Sequence, residues 1–413
     1  MSSQRRRLRG VLLLAVAWPA LAQEWTEREL VERFLTKSPH AQGARALVAA
    51  ARAEARGRAL YANPSLSYSR ESAGFTEFLQ VEQTLPISGR TRALREAGSA
   101  GVAAVEGEAD ALLWLLRSDL RQAFYRLLAA QERIVLVTAG VEEIGEIVRD
   151  LRTREEGGEG SRYDRLRTER ELTEQKTDRS AAQSTLAAAR ARVAGFLPEG
   201  TPVSVVKGDI RNLPDPPALE AILPRALAAR ADYRAEERSL ARFKLEEHAA
   251  RKLRIPEPIV TAGLKRADIR PGLPPNPLSG STPSGLVFGV TVPLLTFNRG
   301  QYEVARVQAE QQRGQARLAV LERQIRTEVE GAYRVLLLRR STLEGYEREQ
   351  DAAETELTRI ARLAYQEGEL GILELLDALR VNRQARLRVL DLRASAKEAQ
   401  VELDRVVGEE VQP

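Results

Sequence analysis

The chain has 413 residues, of which 29% are charged and 5% aromatic, with no cysteine at all. That composition excludes a disulfide-stapled scaffold and a thick aromatic core, and favours long helices with narrow apolar stripes. The formal charge is +5, but four arginines of a leader leave without any acid, which brings it to about +1 and excludes a nucleic-acid binder on bulk charge.

The leader is residues 1–22. Arg5, Arg6, Arg7 and Arg9 form a basic start, an apolar stretch follows to Trp18, and Ala20-Leu21-Ala22 is a small-x-small cleavage site. The apolar stretch is shorter than the roughly 20 residues a membrane anchor needs. With no cysteine behind the cleavage site, a lipoprotein anchor is not expected. Residues 25–37 read as an amphipathic helix with Leu30, Val31, Phe34 and Leu35 on one face. Ser38-Pro39 ends it and caps a second helix reaching about Leu60. At Asn63-Pro64 the period changes to two, and extended runs follow on either side of Ser72-Ala73-Gly74, which reads as a tight turn.

From Thr91 the chain is helical again, with Leu112, Leu113, Leu115, Leu116, Leu120, Phe124, Leu127 and Leu128 as its stripe. Gly157, Gly158 and Gly160 make a turn, and Ser161 caps the return helix to about Phe196. Residues 202–206 read as a short strand, 219–230 as a short helix, and Asp232 starts a longer one. The two-residue period returns at 258–265 and 286–294, around a proline-rich loop at 269–285. These are the lengths of strands in a transmembrane barrel, about 9 to 11 residues. The last stretch, 298–407, is helical and broken once, at Gly368 and Gly371; its first arm would be on the order of 95 Å long.

Read this way, the chain states one plan twice, at an offset of about 210 residues. The first repeat is 23–217, with strands at about 64–86 and a helical hairpin at about 91–196. The second is 218–413, with strands at about 257–268 and 285–295 and a hairpin at about 298–407. A two-stranded hairpin is not stable alone, and four strands cannot close a barrel, so several chains must pool strands and helices. The fold class expected is mainly α with a transmembrane β-barrel portion.

The chain resembles the TolC family of outer-membrane efflux proteins, in the style of its CzcC-like cation-export group. The resemblance rests on the leader, the duplicated helix–strand–strand–helix plan, the strand-end Leu85-Pro86-Ile87-Ser88-Gly89-Arg90 and the turn Tyr365-Gln366-Glu367-Gly368. It implies a homotrimer with a shared 12-stranded barrel in the outer membrane and an α-barrel tunnel in the periplasm. The implied partners are a periplasmic adaptor (membrane fusion) protein and an inner-membrane pump of the resistance-nodulation-division type, and the implied cargo is cations, heavy metals or small toxic compounds. By position, Tyr365, Glu374, Asp377 and Asp164 fall at the channel gate. Gly157, Gly158, Gly160, Ser161, Gly368 and Gly371 fall at the helix tips where an adaptor would dock. Glu374 and Asp377 lie three apart on one helix face. Leu370 stands where the family has a basic gate residue, and Arg162 and Arg165 are candidates to pair with gate acids.

No enzyme chemistry is legible. His40 and His248 stand on separate helices, no cysteine or paired histidine offers a metal site, and the acidic 157–160 turn lacks the lysine of a phosphate loop. No cofactor is expected, and energy for transport must come from a partner. The competing reading is a periplasmic helical-hairpin adaptor without its own pore; such a protein would not carry two strand pairs between long helices.

Overall fold

The structure is a computed structural model, and it describes residues 24–71, 76–267, 284–350 and 353–411. The leader, the 72–74 turn and most of the 269–285 loop lie outside the described residues. The element order begins with β1 (Glu24–Thr26), α1 (Glu27–Lys37), α2 (Pro39–Arg58), β2 (Ser65–Glu71), β3 (Thr76–Thr84), α3 (Arg90–Glu156) and α4 (Arg162–Ala194). It continues with β4 (Val205–Lys207), α5 (Leu219–Ala229), α6 (Ala231–Arg251), β5 (Ile259–Ala267), β6 (Ser284–Thr291), α7 (Gln301–Gln350), α8 (Ala353–Gln366) and α9 (Ile372–Val407).

The N-terminus corrects the sequence reading. Trp25 does not begin α1; it belongs to β1, which pairs in parallel with β4. Its indole Nε1 donates to the Pro202 carbonyl at 2.9 Å and the ring is buried. Helix α1 starts only after Thr26, which forms a capping box with Glu29. Ser38 caps α2 through the Ala41 amide, with Pro39 in the first helical position.

The four longer strands form one antiparallel sheet in the order β2-β3-β5-β6. The register sorts their side chains into two faces. Leu66, Val81, Ala262 and Phe288 form one row, and Tyr68, Leu79, Leu264 and Leu286 form the next on the same face. The opposite face carries Ser67, Gln80, Gly263 and Val287, then Ser69, Phe78, Lys265 and Gly285. Phe288 is 75% exposed and Leu286 72%, so among the described residues nothing lies over the apolar face. Strand β6 stops at Thr291, short of the run to Leu294 read from the sequence, because Pro293 has no N–H to continue the ladder.

From the sheet, α3 runs 67 residues, about 100 Å, before it turns. Two apolar clusters brace the middle of the helices. In one, Trp25, Leu30, Phe34, Leu120, Phe124 and Leu127 pack α1 onto α3. In the other, Ile222, Ala226, Ile325, Val329, Leu336 and Leu403 pack α5 onto α7 and α9. Of the predicted α3 stripe, Leu120, Phe124, Leu127 and Leu128 are buried, but Leu112 and Leu115 are 46% and 42% exposed. Those two line an open groove with Asp232, Glu328 and Arg405 of the same chain.

Buried ion clusters sit beside the apolar ones. Arg121 Nη1 donates to Asp404 Oδ2 at 2.9 Å, and its Nε donates to Glu27, which also accepts from the Tyr125 hydroxyl. Lys397 lies over the Tyr125 ring, 5.0 Å from its centroid, and donates to the Asn212 carbonyl at 2.8 Å. In the second cluster Arg230 makes a two-pronged contact with Asp232 at 2.9 and 2.6 Å and reaches Glu328 at 2.8 Å. Burial raises both acids, but hydrogen bonds from Arg230 outweigh it and leave their pKa values below the ordinary carboxylate range. Acids depressed in the folded state stabilise it above the ordinary range, and that stability is lost as pH falls through their folded values. An Arg230→Met variant should therefore be less stable at neutral pH yet lose less on acidification between about pH 5 and 3, as denaturant midpoints across that window would read.

Candidate functional site

The site is the end of the helices farthest from the sheet, where two turns are built alike. After α3, the Glu159 amide donates to the Arg154 carbonyl at 2.9 Å; after α8, the Glu369 amide donates to Ala364 at 2.8 Å. Both are the six-to-one closure of a helix C-terminus, and each needs a left-handed residue before it. Gly158 at φ 81° and Gly368 at φ 78° supply it. The next helices start alike as well. Ser161 caps α4, accepting from the Asp164 amide at 3.3 Å, and Gly371 occupies the same place before α9. Asp164 and Glu374 are thus the third residues of their helices, where a carboxylate offsets the free N–H groups and the helix dipole. Glu374 folds back so that its Oε2 lies 2.8 Å from where a Gly371 Cβ would stand.

An alanine in place of Gly158 or Gly368 would have to hold the left-handed conformation, costing about 1 kcal/mol. Each change should speed amide exchange at Glu159 or Glu369 about fivefold, with the mid-helix amides unaffected.

The two turns pack together. Ile144, Leu151, Ile372, Leu375 and Leu376 form a cluster, with Tyr365 and Leu370 against it. Burial pushes the Tyr365 phenol up; Arg154 opposes this, while Asp164 and Asp150 add to it. The structure therefore brings Tyr365 and Asp164 into one electrostatic neighbourhood, both half-buried. Glu374 and Asp377 share a face of α9 as expected and are both exposed. Gly157, Gly158, Ser161, Gly368 and Gly371 are exposed at the ends of the helices. Gly160 is half-buried, and a Cβ there would come within 2.5 Å of the Glu155 backbone nitrogen. Among the described residues no group of three or more His, Cys, Asp or Glu is placed to hold a metal ion.

One expectation fails. Arg165 does not reach Glu374 or Asp377: it pairs with Glu155 and, at 2.9 Å, with Glu169. Its shorter reach is satisfied within its own hairpin. The pairs that do bridge the hairpins were not read from the sequence. Arg380 donates to Glu171 at 2.5 Å, and Arg362 pairs with Glu143. Glu171 and Arg380 are 209 residues apart, close to the repeat offset, so the pair joins equivalent places of the two repeats.

A protein-family model described as outer membrane efflux protein matches residues 222–409. That match covers most of the second repeat, somewhat under half of the chain. A curated relative, the cobalt-zinc-cadmium resistance protein CzcC of Cupriavidus metallidurans, is 23% identical over 320 residues, which is 77% of this chain and 71% of CzcC. Crystal structures of CusC match with a TM-score of 0.71 and 19% identity, over 93% of this chain and 92% of CusC. The open state of the Neisseria gonorrhoeae MtrE outer membrane channel matches at 0.71 and 20%, over 94% and 89%. The outer-membrane channel OprN matches at 0.71 and 21%, over 94% and 91%. The fold is therefore that of the TolC-family channels, an α-barrel tunnel joined to a β-barrel.

Proposed function

We propose that three copies of this chain form the exit duct of a tripartite cation-export system. The observation that carries the trimer is the open sheet. Strands β2 and β6 are its edges, and within a bilayer an unpaired edge leaves N–H and C=O groups that lipid cannot satisfy. Joining the β6 edge of one copy to the β2 edge of the next closes twelve strands in three copies. The exposed Leu112 and Leu115 on α3 support the same association lower down, since neighbouring helices would cover them.

The 23–217 and 218–413 repeats then supply alternate hairpins of the tunnel. Gly157, Gly158, Gly160, Ser161, Gly368 and Gly371 form the tips on which a periplasmic adaptor seats, with an inner-membrane pump of the resistance-nodulation-division type behind it. Glu374 and Asp377, in three copies each, ring the mouth with carboxylates that raise the local cation concentration. Tyr365 and Asp164 pack behind that ring and set its position. The cobalt, zinc and cadmium in the name of the relative CzcC favour metal cations as cargo. Purified protein in planar bilayers should conduct cations in preference to anions. Anion preference would overturn the cargo reading while leaving the duct intact.

A further inference from the structure

The lipid-facing side of the sheet ends, at its outer edge, in a row of charges that conduction does not use. The strand register sets Arg70 beside Glu77 and Glu77 beside Arg266. All three lie on the face that carries Leu66, Tyr68, Leu79 and Leu264, one row beyond the last apolar one. The helices leave the sheet from its other end, so in an outer-membrane channel this row stands at the cell-exterior side. Six residues separate Gln83 from Glu77 along β3, about 20 Å at strand rise, so the charged row crowns nearly the full height of the apolar band, about 25 Å in such barrels.

We propose that Arg70 and Arg266 form a phosphate-binding collar for the phosphorylated glycolipid of the outer leaflet. Among the described residues the row holds two guanidiniums and one carboxylate, at the depth where acyl chains give way to headgroups. Glu77 accepts from the Tyr68 hydroxyl at 3.1 Å and lies 4.0 Å from Arg70 Nε. Those contacts hold Arg70 along the barrel wall and keep the arginine row level with the headgroup phosphates. Arg266 is exposed two strands away on the same row. A guanidinium binds phosphate through parallel N–H donors, and Leu264, Leu286 and Phe288 below offer continuous apolar surface to the same lipid's acyl chains. Lys265, although adjacent in sequence, projects to the opposite face over the Phe78 ring, 5.3 Å from its centroid, and takes no part. The occupant is thus a lipid that is both phosphorylated and multiply acylated. The inference goes beyond the export reading and is independent of the cargo.

The test is native mass spectrometry of the full-length protein in mild detergent, titrated with a bisphosphorylated acyl-diglucosamine lipid, its phosphate-free counterpart and phosphatidylglycerol. Wild-type protein should retain the bisphosphorylated lipid about tenfold more tightly than either of the others. The Arg70→Gln/Arg266→Gln variant should lose that preference, while Lys265→Gln keeps it. Equal retention of all three lipids by the wild type would overturn the collar, and that comparison needs no variant to fold. So would a double variant that still shows the heat-dependent gel shift of a folded barrel and binds within about twofold of wild type.

Discussion

Replacing Arg121 with methionine should lower the unfolding free energy of the helical body by about 3–5 kcal/mol, the usual consequence of stranding one side of a buried ion pair. Arg121 and Asp404 side chains are only 9% and 2% exposed. Burial works against the Arg121 charge, but Glu27 first and Asp404 second more than restore it, so the guanidinium stays ionised. Without it, the nearby cation is Lys397, whose ammonium is engaged by the Asn212 carbonyl and Gln400 and whose pKa burial lowers. Burial also raises Asp404, so the stranded acid would take up a proton more readily and relieve part of the loss at low pH. The cluster ties three distant pieces together: Glu27 at the start of α1, Arg121 in the middle of α3 and Asp404 at the end of α9. Asp404 Oδ1 also accepts from the Val411 amide at 2.9 Å and anchors the last described turn. Guanidinium midpoints of the helical signal would measure the loss. An Arg121→Met/Glu27→Gln/Asp404→Leu variant should recover most of it, because an uncharged set of similar volume avoids the cost of desolvating buried ions. A single variant within about 1 kcal/mol of wild type would mean that the cluster is wetter than its burial indicates.

Neutralising the mouth should have the larger functional effect. The Glu374→Gln/Asp377→Asn variant removes six carboxylates from a trimer, and its cation-over-anion permeability ratio should fall about three- to tenfold at low ionic strength. The difference should shrink at 1 M salt, where charges more than about 3 Å apart are screened. Glutamine at position 374 keeps an acceptor at the start of α9, so the helix start survives the change and the effect reads charge alone. Unchanged selectivity would leave Glu374 as a helix cap and Asp377 as a solvated residue. Reversal potentials across planar bilayers give the answer directly.

The parts of this molecule that follow from local chemistry were legible in the sequence. Alternation placed β3 and β5, and Ser38 and Ser161 marked helix starts as their hydroxyls suggest. The equal spacing of Gly158 and Gly368 within the repeat pointed to matching turns, and the geometry of both closures agrees. What local chemistry could not give lay in long-range pairing. The three-residue strands β1 and β4 are too short for any periodicity, so Trp25 read as the first turn of a helix. Arg121 reaches Glu27 and Asp404 across 94 and 283 residues, and in a chain where arginine and glutamate alternate along solvated helix faces nothing distinguishes a buried arginine. Arg165 misled for the same reason: its partners are ordinary hairpin neighbours, Glu155 and Glu169. On α9, the spacing of Glu374 and Asp377 predicted a shared face. It did not reveal that Glu374 also folds over the start of α9, which follows only once Gly371 is known to be the cap residue.

The central claim is that this chain cannot complete its barrel alone. Light scattering of the protein–detergent complex, with the detergent mass subtracted, measures the number of chains directly. Three copies per particle, collapsing to one on boiling, is the result expected from a sheet whose β2 and β6 edges each find a neighbour. A stable folded monomer, with its four strands intact in detergent, would contradict it.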